Sequence, residues 1–159
     1  MTQVPQENVC ETSQSALTFL QGWLDHMMVA FFDNDFEAHA RDVHLPLTFK
    51  TDGNAMIVRD ADALREGFDA WVNMMKTHNV TRIIRTPTQA AWIGEDRVSG
   101  IYESQFLSDD TRVLPIMTSL ADLVKVDGTW KITTLVNGMK NISWPIRAPL
   151  LVPDKDGKA

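Results

Sequence analysis

The second half of this chain runs through four stretches of period-two patterning separated only by tight turns, at about 82–92, 97–107, 112–125 and 130–137. Gly94-Glu95-Asp96, Ser108-Asp109-Asp110 and Asp127-Gly128 supply the turn chemistry. A crossover to a parallel neighbour needs a dozen or more residues, so long strands joined by such short turns must pair antiparallel.

The first half follows other periods. Leu17, Leu20, Leu24, Met27, Met28 and Phe31 recur at spacings of three and four, which predicts a helix over 13–33 with Ser13 or Ser15 at its cap. Asp33-Asn34 breaks it, and Asp35 caps a short second helix over 36–41. From Val43 the period becomes two, with Val43, Leu45, Leu47 and Phe49 alternating with polar positions and Pro46. Pro46 cannot donate to a ladder, so this strand is an edge or is bulged. Thr51-Asp52-Gly53-Asn54 turns the chain into a return strand over 56–59. Asp60 or Asp62 then opens a helix to about His78, with Leu64, Phe68, Trp71, Val72 and Met75 as its buried stripe. Helices on one face of an antiparallel sheet make the fold α+β.

At 159 residues the chain is expected to form one domain. Residues 1–12 read as a flexible leader, 13–142 as the domain, and 143–159, with Pro145, Pro149 and Pro153, as an extended tail. A net charge of −6 without a basic stripe argues against nucleic acid as a partner. No stretch reaches the roughly 20 apolar residues of a membrane span. The lone Cys10 and the lack of a secretory pattern at the start point to the cytoplasm. No dinucleotide, phosphate-loop or nucleophile-elbow motif is present, so no cofactor is expected. His39, Asp42 and His44 span a helix-to-strand junction and need not converge, so no metal is expected either.

Two local patterns add to the element order. One is Asp33-Asn34-Asp35-Phe36 leading to His44-Leu45-Pro46; the other is the closing hairpin from Asp122 through Asp127-Gly128 to Trp130-Lys131-Ile132. Together they resemble the nuclear transport factor 2-like superfamily, which includes ketosteroid isomerase, scytalone dehydratase and the SnoaL-like cyclases. The resemblance spans about 13–142. It implies a cystatin-like cone, with a curved, mainly antiparallel sheet wrapped around N-terminal helices and one further helix to enclose a pocket. The ketosteroid isomerase pattern itself fails here: its tyrosine would fall near Met27 and its catalytic aspartate at Leu45. Only its second acid, kept neutral by an apolar site in that enzyme, has a counterpart, at Asp122. That isomerisation is rejected.

Asp122 shares a strand parity with Leu114, Ile116, Thr118, Leu120 and Val124, where desolvation would raise its pKa and suit it to donate a proton. The competing reading pairs it with an arginine or leaves it at the sheet's exposed end. Tyr102, the only tyrosine, shares a face with Val98, Gly100, Ser104 and Phe106 and is either a hydrogen-bond donor to a ligand or a core ring. His26 borders the first helix's apolar stripe, as a proton shuttle or a surface residue. Arg85 and Glu103 read as a cross-strand pair. Trp23, Met27, Leu45, Phe68, Trp71, Met75, Thr118 and Asn137 are the candidate ligand-binding residues, and their soft and aromatic surfaces suit a small apolar or aromatic ligand.

Two functions remain open on these residues. The first is a small-molecule pocket protein, extending to a cofactor-free isomerase, dehydratase or cyclase working by acid–base chemistry on an apolar substrate. The second is a non-catalytic binding or assembly domain. It would be a homodimer through an outer sheet face carrying Trp130, Ile132 and Val136, with Ile142-Ser143-Trp144-Pro145-Ile146 lying across the partner.

Overall fold

The computed structural model describes residues 12–51 and 54–137. The Asp52-Gly53 turn, the leader with Cys10, the 142–143 boundary and the proline-bearing tail lie outside the described residues. Within them, three helices and seven strands follow in order: α1 (Gln14–Phe32), α2 (Phe36–Arg41), β1 (Val43–Thr51), β2 (Asn54–Val58), α3 (Ala61–Thr77), β3 (Arg82–Trp92), β4 (Arg97–Ser108), β5 (Thr111–Arg112), β6 (Met117–Val126) and β7 (Thr129–Asn137).

Each helix starts where a short polar side chain can satisfy a backbone N–H that the first turn leaves without a partner. Ser13 accepts from the Ala16 N–H at 3.1 Å, Asp35 from Ala38 at 3.1 Å, and Asp60 from Ala63 at 2.9 Å. Asn34, Asp109, Asp127 and Gly128 take the positive φ angles of the helix break and the turns.

The strands form one sheet in the order β2-β1-β7-β6-β4-β3, with β5 paired to β4. Every pairing is antiparallel except β1 with β7. Register shifts interrupt the ladders between Val43 and Thr48, between Pro87 and Gln89, and at the β6–β7 pairing beside Asp122 and Leu123. Such bulges sharpen local twist and curve a sheet. Pro46 falls within the first of them, the bulged alternative of the two that its missing donor allows.

The helices pack on one face of the curved sheet. α1 is fastened at both flanks: the Ser13 N–H donates to Ala90 O at 2.9 Å, Gln21 Nε2 to Arg85 O at 2.9 Å, and Trp23 Nε1 to Trp130 O at 3.3 Å. Leu20 and Leu24 from α1 meet Val98, Phe106, Met117 and Leu123 from the sheet in the core.

The bulges also overturn two sequence expectations about which residues face outward. In β7, Leu123 faces Ile132 while the preceding Asp122 faces Thr134, so Thr133 is the extra residue. One strand therefore presents two parities. Trp130 and Ile132 face the helices before the bulge, and Leu135 and Asn137 do so after it. Trp130 packs on Phe19 at 4.8 Å between ring centroids, and Ile132 is buried. Of the three residues assigned to the outer face, only Val136 is there, opposite Leu120.

Candidate functional site

Between the three helices and the sheet lies a cavity of about 100 Å³. Its wall is mostly aliphatic and aromatic. Met27 and Phe31 come from α1, Leu64, Phe68 and Trp71 from α3, and Val43, Leu47 and Phe49 from β1. Four polar residues interrupt that wall: His39, Arg85, Tyr102 and Asn137.

Arg85 is the unusual member. Only 6% of its surface is exposed. Its β3 register places it opposite Ser104 on the inner face, whereas Glu103 is exposed and opposite Thr86. The expected cross-strand pair fails because neighbouring register positions project to opposite sides of a sheet. Among the described residues no carboxylate lies within ion-pairing distance of Arg85, and its Nε has no hydrogen-bond partner. The guanidinium carbon instead sits 5.9 Å from the Trp71 ring centre and 5.7 Å from that of Tyr102. The negative faces of these rings offset part of the lost hydration. Burial pushes the guanidinium pKa down, while Tyr102 and, to a lesser extent, Asp25 raise it. Arginine nonetheless stays protonated in proteins.

His39 shares the cavity. Its ring lies among Phe31, Phe36 and Phe68, at centroid distances of 4.9, 6.5 and 5.1 Å, and its Nδ1 has no partner among the described residues. Burial, and secondarily the positive charge of Arg85, push its pKa down to about 4. A neutral imidazole therefore sits beside a buried cation. Asn137 is fixed from the sheet, its Oδ1 accepting from Ser119 Oγ at 2.8 Å.

Of the candidates drawn from sequence, Met27, Phe68, Trp71, Tyr102 and Asn137 line the cavity. Trp23 and Met75 are buried in the core outside its lining, and Leu45 is half-buried at the β1 irregularity. Thr118 is exposed opposite Glu103. Asp122 is on the outer face, where Ser99 Oγ donates to its Oδ1 at 2.6 Å. The inner residues of β6 are Met117, Ser119, Ala121 and Leu123, so the apolar parity assigned to Asp122 is the outward one. His26 is exposed, with Nε2 3.0 Å from the buried Asp42, which ties the start of β1 to α1. Asp42 thus turns away from His39. No group of three His, Cys, Asp or Glu residues among those described converges as a metal site.

Sequence reasoning gave Arg85 and His39 no role in a pocket. For Arg85 no pattern could have done so, because Ile83 and Ile84 occupy both parities around it. For His39 a faint signal existed in its i+3 spacing from Phe36, which puts both on one helical face.

A scan against protein-family models found no match, and no curated protein matches the chain in sequence. Solved structures do match. An NTF2-like protein of unknown function from Pseudomonas putida KT2440 superposes with a TM-score of 0.59 at 12% identity, over 84% of this chain and 94% of that one. The fold is nuclear transport factor 2-like. A second NTF2-like protein, from Shewanella oneidensis MR-1, matches at 0.56 and 14% identity over 73% and 93% of the two chains. A cystatin-like protein of Nostoc punctiforme PCC 73102 matches at 0.58 and 12% over 83% and 96%. These likenesses establish the scaffold: N-terminal helices laid on a curved, mostly antiparallel sheet. No helix among the described residues is long and apolar enough to cross a membrane.

Proposed function

We propose that this nuclear transport factor 2-like chain is a small-molecule-binding protein whose ligand is small and mainly apolar. One observation carries the reading. An aromatic-walled cavity contains two buried polar groups, Arg85 and His39, each with a nitrogen that no described residue satisfies. Buried polar groups are nearly always hydrogen-bonded, and an exception calls for an explanation, of which a bound ligand is one.

Binding is better supported than acid–base catalysis. General bases work best with a pKa near the operating pH, and a His39 titrating at about 4 is a weak base at neutrality. Asp122, the acid on which the catalytic reading rested, is on the far side of the sheet. Native mass spectrometry of the freshly purified protein, with denaturing analysis of released molecules, tests the proposal. Titration with benzene and isobutyramide, followed by Trp71 indole resonances, complements it. A copurified small molecule or a saturable shift supports the reading; an empty protein indifferent to both probes and to isobutyrate refutes it.

A dimeric role is compatible with this. Ile101, Leu120 and Val136 form one apolar row across β4, β6 and β7 on the outer face, each only partly buried. Such a row suits a twofold contact with a second copy. Light scattering at micromolar concentration tests it, and a strictly monomeric mass would count against it.

A further inference from the structure

A buried guanidinium in an aromatic cavity is costly unless an opposite charge joins it. Among the described residues no carboxylate is within ion-pairing reach. The carboxylate nearest in effect is Asp25, on the exposed side of α1, where its Oδ1 accepts from Gln21 Nε2 at 3.1 Å. That glutamine nitrogen also donates to Arg85 O, so it holds the Arg85 backbone rather than its charge. Asp42, just before β1, is instead in contact with His26. We propose that the cavity recognises a short-chain or compact branched monocarboxylate, its carboxylate held by the Arg85 guanidinium and its alkyl part by Phe31, Phe68 and Trp71. This rests on reading the cavity as a small-molecule site.

Three observations shape that ligand. First, the guanidinium is an acceptor-free fork of donors, so its orphaned Nε calls for an oxygen acceptor and matches a planar carboxylate. Second, neutral His39 can turn one ring N–H toward the same anion without competing as a second charge, and protonating it beside Arg85 is unfavourable. Together they fit a single negative charge better than a doubly charged group such as phosphate. Third, the cavity is small. An apolar cavity of about 150 Å³ holds benzene's six carbons, so about 100 Å³ corresponds by proportion to roughly four non-hydrogen atoms, with about six as the ceiling. Acetate, propionate and isobutyrate span that range.

The test compares isobutyrate with isobutyramide, a neutral molecule of nearly the same shape, by calorimetry on the full chain. The wild-type protein should prefer the acid by about 10- to 100-fold, the range expected for charge-assisted hydrogen bonds in a dry site. Arg85→Met should abolish that preference while still accepting the amide, and its far-UV spectrum reports whether it folds. Should that variant not fold, the wild-type ratio alone decides, along with the buried Arg85 Nε–H resonance, which should move with isobutyrate and not with isobutyramide. Amide binding as tight as acid binding, or a preference that survives Arg85→Met, would overturn the carboxylate assignment and leave the small-molecule reading standing. Indifference to isobutyrate, isobutyramide and benzene alike would remove both.

Discussion

Replacing His39 with Phe should remove a pH dependence of stability that the burial of this residue creates. In the unfolded chain the imidazole titrates near 6.5, whereas in the folded protein burial and Arg85 hold it at about 4. Between these values the unfolded state binds the extra proton, so stability falls as pH drops. The contribution is complete above about pH 6.5, declines through the window, and is flat below about pH 4. A shift of about 2.5 units at 1.36 kcal/mol per unit amounts to about 3 kcal/mol. That is a large part of a stability of about 5–15 kcal/mol. His39→Phe keeps a flat ring among Phe31, Phe36 and Phe68 and cannot be protonated. Urea unfolding of both proteins, repeated between about pH 7 and 4, gives the comparison, because the other titrating groups act in both and cancel in the difference. The wild type should lose about 3 kcal/mol more than the variant across the window. A difference that stays constant with pH would show that His39 titrates as if in water, and the argument for a dry cavity would fail with it.

Three other substitutions test the architecture. Gly100→Ala would put a Cβ 2.8 Å from Gln89 O and against Leu20, and should destabilise by about 1–3 kcal/mol in thermal or urea unfolding. Asn137→Ala leaves the buried Ser119 hydroxyl without its acceptor and should cost about 1–3 kcal/mol; a neutral result would mean that the pair is not formed. Asp122→Asn keeps an oxygen for Ser99 on the outer face, so stability should change by less than about 1 kcal/mol and probe binding should be unaffected. Loss of binding in that variant would contradict the inner and outer assignment of β6.

Local sequence sets the helices and most strands in their observed order. The one strand expected over 112–125, however, is two, β5 (Thr111–Arg112) and β6 (Met117–Val126), so Leu114 and Ile116 do not share a strand with Asp122. Caps at Ser13, Asp35 and Asp60, the break at Asp33-Asn34 and the turns after β3 and β6 are local physics, set by side chains bonding to backbone a few residues away. Period alone could not decide which face of a strand lies inside when both are apolar. Leu120 and Val124 in β6 look as suitable for burial as Ser119 and Ala121, and only the layer of helices on one side selects the second set. A bulge compounds the problem: one extra residue, Thr133, reverses the parity of everything beyond it. Register matters equally. A shift of one position separates Arg85 from Glu103 and turns an ordinary surface pair into a buried cation with no carboxylate partner among the described residues. That cation, the neutral His39 beside it and the cavity they share come from residues far apart in the chain, so only the tertiary structure could bring them together.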